Sequence, residues 1–318
     1  MKISNVMVTG GAGFIGSHIV AKLVEQLYCV TILDNLSTGK LSNISPKLWD
    51  SGLVKFVKGD IRDTLAVKRC LIDVDAVLHL AAQTSVPFSV LNPSVNDEIN
   101  IKGTSNLLHS SVESKVEKFI FVSSCAVYGN PVYLPLDEKQ PPNPISPYAE
   151  SKLASEKECV HLNEQGLLKN VVLRLFNVYG PRQGLNDYSG VITKFMDRIK
   201  QRLPLIVYGD GSQTRDFVYV QDVVDAILLA LENTKVEGEV FNIGTGKATT
   251  IQELAETMLS LTNTNLEIAK APARSGDIKD SYANISKANK LLGFEPVFPL
   301  KNGLKDLLSE IGLLSSKK

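Results

Sequence analysis

Apolar residues along this chain fall into two patterns that take turns. Short apolar runs, the mark of buried strands, lie at about 5–9, 28–34, 53–58, 75–80, 118–123 and 170–176. Between several of them the apolar residues recur at helical spacing, as over 14–27, 94–114 and 147–166. Strands alternating with amphipathic helices predict an α/β fold on a doubly wound parallel sheet. After Asn177 glycine and proline become frequent, elements shorten and strict alternation ends. This predicts a first domain over 1–177 plus 216–243, with the last stretch packing back on the sheet. A smaller, partly discontinuous C-terminal lobe for substrate is expected over 178–215 plus 244–318, closing in the polar tail Ser315-Ser316-Lys317-Lys318.

The first strand run leads directly into Gly10-Gly11-Ala12-Gly13-Phe14-Ile15-Gly16. Gly10 permits a tight strand-to-helix turn, Gly13 lets backbone N–H groups approach a pyrophosphate, and Gly16 lets the helix lie close on the strand. The helix N-terminus adds a partial positive charge. The second run, Cys29 to Leu33, ends at Asp34, where a carboxylate accepts from both ribose hydroxyls and repels a 2′-phosphate. Strand, turn, helix and downstream acid together make a dinucleotide-binding (Rossmann) fingerprint that favours NAD; Lys40 is the residue nearby that would suit NADP instead. Two more strand ends carry Asp60-Ile61 and Leu80-Ala81-Ala82-Gln83, suited to flank the adenine and the nicotinamide side.

Composition narrows the partners. With 34 Lys and Arg against 34 Asp and Glu, evenly scattered, the chain predicts neither nucleic acid nor a membrane surface as partner. No apolar run approaches the ~18 residues of a membrane helix. Cys29, Cys70, Cys125 and Cys159 are far apart and form no CxxC pair, and the chain opens on a strand run without a charged leader; both features predict a cytoplasmic protein with reduced thiols. His18, His79, His109 and His161 lack ligand spacing, so no metal site is expected.

Candidate chemistry gathers in Tyr148-Ala149-Glu150-Ser151-Lys152. Pro147 marks a helix start, which puts Tyr148 and Lys152 one turn apart on one face. For a phenol to act as a base near neutrality its pKa must fall by ~3 units, worth ~4 kcal/mol. One cation at ~4 Å and an effective dielectric of ~20 supplies about that much, and Lys152 is the expected source. The fifth strand run ends in Ser123-Ser124: Ser124 is placed to bond a substrate hydroxyl and relay its proton toward Tyr148, and Ser123 to contact backbone or cofactor. Asn100, on the neighbouring helix, is expected to orient the site.

The motifs TGGAGFIG, DNLSTG, GDI, HLAAQTSV, SSCAVYG and YAESK resemble those of the extended short-chain dehydrogenase/reductase superfamily. RLFNVYGPRQ, YGDGSQTRDFVYVQDVV, FNIGTG and ARSGDIKDSYANISKANKLLGF extend the resemblance nearly to the C-terminus, toward NAD-dependent UDP-sugar 4-epimerases. The resemblance implies NAD contacts at Gly10, Gly13, Phe14, Ile15, Gly16, Asp34, Asn35, Ser37, Asp60, Ile61, Ala81, Asn100, Ser123, Tyr148 and Lys152. It implies catalysis by Ser124, Tyr148 and Lys152. It places a UDP-sugar against Ser85, Ser124, Tyr148, Asn177, Val191, Arg215, Arg274, Asp277 and Ser281, with the two arginines as planar clamps on the diphosphate. It also implies a homodimer through the helices at about 94–114 and 147–166, where Ile101, Leu107, Leu108 and Val112 serve either the dimer face or the core.

The resemblance leaves rivals. A nucleotide-sugar 4,6-dehydratase needs a further acid/base after the serine, where this chain has Cys125 and Ala126. A UDP-glucuronate epimerase is expected to carry Arg after GPRQ, where this chain has Gly184. A non-catalytic NAD-sensing protein would be marked by loss of Ser124, Tyr148 or Lys152, all of which are present. Ser281 matches a position where some members carry a Tyr beside the sugar's carbon 2, so acceptance of UDP-GlcNAc and UDP-GalNAc is also expected.

Overall fold

The computed structural model describes residues 3–184, 190–273 and 276–314. Each apolar run becomes a strand: β1 (Asn5–Thr9), β2 (Cys29–Asp34), β3 (Val54–Lys58), β4 (Ala76–His79), β5 (Lys118–Ser124) and β6 (Asn170–Leu175). Beyond them come β7 (Asn177–Tyr179), β8 (Leu205–Tyr208), β9 (Thr214–Arg215), β10 (Phe217–Tyr219), β11 (Val240–Ile243), β12 (Thr249–Thr250), β13 (Ile268–Ala271) and β14 (Asp280–Ser281). The main sheet has seven parallel strands in the order β11-β6-β5-β4-β1-β2-β3, the doubly wound sheet expected from the sequence. Strand order reverses between β1 and β4, which opens a crevice at their C-terminal ends.

The strand residues divide by parity, because successive side chains leave a strand on opposite faces. Val6, Val8, Ile120, Val122, Val171 and Leu173 enter one core layer together with residues of α1 (Phe14–Glu25) and of the helix Val220–Glu232. Met7, Phe119, Phe121 and Val172 enter the other, against Leu107, Leu108, Cys159 and Leu162. Leu107 and Leu108 are fully buried there, so of the two uses open to them they take the core; Ile101 and Val112 remain partly exposed. Burying each such aliphatic side chain contributes about 1.5–3 kcal/mol.

The remaining helices, in chain order, are α2 (Pro46–Asp50), α3 (Thr64–Cys70), α4 (Val86–Leu91), α5 (Pro93–Asp97), α6 (Thr104–Glu113), α7 (Pro147–Glu164), α8 (Val191–Lys200), α9 (Val220–Glu232), α10 (Ile251–Thr262) and α11 (Leu300–Glu310). The single helix expected over 94–114 is divided: α5 starts at Pro93, a π-helical turn spans Glu98–Gly103, and α6 follows. α7 begins as its sequence implies, with Pro147 in the first turn and the Ser146 hydroxyl accepting from Ala149 N at 3.2 Å.

α9 packs on α1, and β11 pairs with β6. Phe195, Leu254, Met258, Leu304 and Leu308 form a separate core among α8, α10 and α11, with Tyr179 and Tyr219 at its border. The parallel pair β7 and β10 joins that core to the main sheet, because Phe217 and Tyr219 face the former and Val218 the latter. Among the described residues no helix is long and apolar enough to cross a membrane, and no cluster of three or more potential metal ligands occurs.

Candidate active site

A cavity of about 790 Å³ lies at the C-terminal ends of β1, β2, β4 and β5. Gly10 turns the chain out of β1 with φ +70°, and its N–H donates to Leu33 O at 2.9 Å. A Cβ on Gly10 would stand 2.9 Å from Ala81 N, and one on Gly16 would collide with the Gly10 carbonyl oxygen. The first turn of α1 has no side-chain cap and no acidic residue, while Gly13, Phe14, Ile15 and Gly16 line the cavity, so the helix presents its positive end there.

The polar rim is built from strand ends. Asp34 Oδ2 accepts from Ala12 N at 2.9 Å and Oδ1 from Leu36 N at 2.8 Å, which fixes the carboxylate against the glycine turn. Asn35 donates to Asp60 Oδ2 at 2.9 Å and accepts from Ser37 N at 2.9 Å. Asp60 is held down to about 2, chiefly by the Arg62 guanidinium, which bonds both its oxygens at 2.9 Å. Ile61, Ala81 and Ser85 also line the cavity, and Ser85 caps α4 by accepting from Phe88 N at 3.1 Å.

The loop after β4 is held from behind. Leu80 N and Ala81 N both donate to the Thr9 hydroxyl at 3.2 Å, which leaves its proton for His79 Nδ1 at 2.7 Å. This assigns His79 as the Nε2–H tautomer, donating to Thr104 Oγ1 at 2.8 Å. Burial pushes its pKa down to about 3. Asn100, predicted as a cofactor contact, stands outside the cavity lining: it accepts from Gln83 N at 2.8 Å and donates to Gln83 O at 2.9 Å, Asn96 Oδ1 at 3.0 Å and Ser151 Oγ at 3.1 Å. Seated in the π-helical turn, it ties the loop to α7.

Ser123, Ser124, Tyr148 and Lys152 all line the cavity wall. The Tyr148 phenol lies beside Ser124 on the cavity wall, and Ser124 Oγ accepts from Ala126 N at 3.2 Å. Burial pushes Tyr148 up to about 12, with the neighbouring Ser124 hydroxyl working the other way. Lys152 shares the cavity wall with Tyr148, but burial outweighs the other influences on the phenol. Its ammonium donates to Val122 O at 2.9 Å, lies 5.0 Å from the Phe121 ring centroid, and is itself pushed down to about 8 by burial. Its helical spacing from Tyr148 is as expected, and one of its three N–H donors is spent on β5.

Of the residues expected to hold the UDP-sugar, Ser85, Ser124 and Tyr148 line this cavity, whereas Asn177, Val191, Arg215, Asp277 and Ser281 are not among its lining residues. Arg215 and Asp277 form an ion pair at 2.7 Å, and Arg215 lies beside Ser281 in the β9–β14 register. Ser281 is buried with its hydroxyl against the Cys125 thiol, one residue after Ser124. Burial pushes that thiol up to about 11. The amide nitrogen of Asn177 is buried without a hydrogen-bond partner, and Val191 opens α8. Arg274 lies outside the described residues.

Sequence reasoning passed over Phe88, Phe176 and the side chain of Gln83, all of which line the cavity. Their signal was position alone, just beyond strand ends or in a short helix. The Gln83 side-chain oxygen is buried and unpartnered, an acceptor site awaiting a donor. That orphan, the glycine cradle without room for a Cβ, the helix N-terminus and the Asp34 carboxylate fit a dinucleotide.

Residues 6–244 match the NAD dependent epimerase/dehydratase family. The chain belongs to that family. A UDP-glucose 4-epimerase of Thermotoga maritima, solved with UDP-glucose, superposes with TM-score 0.91 at 40% identity, covering 96% of this chain and 98% of that one. A UDP-N-acetylglucosamine 4-epimerase of Methanobrevibacter ruminantium, solved with UDP-N-acetylmuramic acid, superposes with TM-score 0.92 at 38% identity, covering 98% and 99%. The UDP-glucose 4-epimerase of Halalkalibacterium halodurans is 36% identical over 311 residues, 92% of this chain and 91% of that protein. As a member of the epimerase/dehydratase family the chain is an enzyme that uses NAD, and Gly10, Gly13, Gly16 and Asp34 are the residues suited to hold it.

Proposed function

We propose that this enzyme inverts carbon 4 of a UDP-hexose, interconverting UDP-glucose and UDP-galactose through a 4-keto sugar. One observation carries the reading: Tyr148 and Ser124 meet on the cavity wall, while the two residues after Ser124 are a half-buried thiol, Cys125, and a methyl, Ala126. A hydroxyl pair of this kind exchanges one proton with a substrate hydroxyl, and neither neighbour is an acid able to expel water from carbon 6. NAD, when bound, supplies the hydride acceptor and donor. Ser124 receives the sugar's 4-hydroxyl, Tyr148 takes its proton and later returns it, and Lys152 holds α7 against β5.

The Arg215–Asp277 pair, with Arg274 and Asn177, is our candidate grip on the diphosphate and ribose, which leaves the sugar free to present either face. In this reading the dinucleotide sits in the lobe of 1–177 plus 216–243 and the nucleotide sugar against 178–215 plus 244–318. We assign a homodimer as well: Val90, Leu91 and Val95 on α4 and α5 are 58%, 73% and 40% exposed, an aliphatic surface that a second copy would cover. A cytoplasmic location belongs to the same reading, supported by Cys70 and Cys159 as free thiols buried among aliphatic side chains.

The test supplies UDP-galactose to the purified enzyme and follows UDP-glucose through a coupled UDP-glucose dehydrogenase. Steady formation of UDP-glucose is expected. A 4-keto-6-deoxy sugar as the product would replace this reading with a dehydratase.

A further inference from the structure

Behind the cavity wall lies a buried charged network that the proposed chemistry does not use. Glu156 sits one helical turn beyond Lys152 on α7, and its side chain is 4% exposed. Its carboxylate accepts from Arg174 Nε at 3.1 and 3.2 Å and from Arg174 Nη2 at 2.7 Å, and the Arg174 side chain is 6% exposed. Glu156 Oε1 also accepts from Ser123 Oγ at 2.5 Å. Arg174 stands opposite Ser123 in the β5–β6 register, and its guanidinium lies 4.8 Å from the Tyr128 ring centroid in the turn that follows Ser124. One carboxylate thus joins α7, β5 and β6 at the level of Ser123.

We propose that Glu156 is a positioning residue for the active site, acting through Lys152 and Ser123. The proposal rests on the reading of Tyr148, Ser124 and Lys152 given above. Its first arm is proton inventory. A serine hydroxyl has one proton, and Ser123 gives it to Glu156, so toward the cavity Ser123 only accepts. The ligand group that meets it must therefore be a donor, such as a carboxamide NH₂.

The second arm is electrostatic. Around the Lys152 ammonium, β5 offers the Val122 carbonyl and the Phe121 ring, and β4 offers His79, which is neutral. α7 offers Tyr148, Cys159 and Glu156, and β6 offers Arg174, which is already bound to Glu156. Glu156 is the one anion in this set. Burial lowers the Lys152 pKa and Glu156 raises it, so the carboxylate keeps the ammonium charged near neutrality.

Glu156→Gln removes the charge, and the double variant Glu156→Leu/Arg174→Met guards against misfolding, because replacing a buried ion pair by apolar groups of similar volume is often neutral for stability. Holoenzymes labelled with [6-¹³C]lysine are titrated by NMR beside steady-state kinetics across pH. The Lys152 midpoint is expected to fall by about one pH unit in Glu156→Gln and by less in the double variant, which removes the Arg174 cation as well. The alkaline limb of kcat should move down with it, and kcat should drop about tenfold while KM for the UDP-hexose changes little. A folded Glu156→Gln with the wild-type midpoint and kcat, or a folded double variant with wild-type kcat, overturns the proposal and leaves the pair purely structural. The NMR midpoint reads Glu156 even if no UDP-hexose is turned over, so failure of the epimerase reading is a separate result.

Discussion

Lys152 donates to the Val122 carbonyl at 2.9 Å, which fastens α7 to β5 just before Ser123 and Ser124. The bond sets the register between helix and strand, so that Tyr148, one turn earlier, reaches Ser124. A lysine in this place aligns the two hydroxyls and supplies a positive charge behind them, while burial keeps the phenol protonated until substrate and cofactor surround it.

Removing the phenol alone tests its role. Tyr148→Phe leaves the Gly10–Gly16 turn, Asp34 and the Lys152–Val122 bond in place. Turnover of UDP-galactose should fall by about 10²-fold or more, the usual range for a lost acid/base group, with copurified NAD unchanged. The checks are the coupled assay and chromatography of the acid-extracted nucleotide. Near-wild-type turnover would remove Tyr148 from the mechanism.

Asp34 is the second target. Its two oxygens are already engaged by Ala12 N and Leu36 N, and each retains acceptor capacity toward the cavity. Asp34→Ala strands both N–H groups, each costing about 1–3 kcal/mol, and removes the expected ribose acceptor. The variant should purify with little bound nucleotide, and the wild type with NAD rather than NADP. Equal retention of NADP by the wild type would contradict the role given to the carboxylate.

Much of this was legible in the chain. The six strand runs and the 147–166 helix show because apolar periodicity and the Ser146-Pro147 start agree over long stretches. β9, β12 and β14 are two residues each, too short for any period to register, yet they carry Arg215 and Ser281. α4 is hidden because Val86, Val90 and Leu91 face outward and Pro87 sits in its first turn. The Glu156–Arg174 pair links a helix to a strand with no spacing rule between them. Spacing puts Lys152 near Tyr148 but does not reveal the Val122 carbonyl that takes one of its three N–H donors.

His79 makes stability depend on pH. Its pKa is pushed down to about 3 by burial, against 6.5 in an unfolded chain. Between those values the unfolded state binds a proton that the folded state does not, so stability is lost as pH falls below about 6.5. From pH 7 to pH 5 this one group should cost about 2 kcal/mol. His79→Gln keeps a donor and an acceptor for Thr9 and Thr104 but cannot titrate. Its urea midpoint should therefore decline less over that interval than the wild type's, and parallel declines would refute the linkage.

Substrate breadth turns on Ser281. β14 runs beside β9 so that Ser281 adjoins Arg215, and its hydroxyl meets the Cys125 thiol, next in the chain to Ser124. The side chain is thus small and close to the hydroxyl pair assigned to carbon 4, and the resemblance matches it to a position beside the sugar's carbon 2. UDP-GlcNAc and UDP-GalNAc are expected to be epimerised alongside the unacetylated pair, since a small side chain admits both. Ser281→Tyr should close that space and lower kcat/KM for the acetylated sugars at least tenfold relative to UDP-galactose, a clash costing more than about 1.4 kcal/mol. Ser281→Ala controls for the lost Cys125 contact and should leave the ratio of the two substrates within about twofold of wild type, under ~0.5 kcal/mol. Specificity constants for both sugar pairs across the three proteins decide the matter: a wild type that ignores acetylated sugars, or a Tyr variant with an unchanged ratio, would show that Ser281 does not set the boundary.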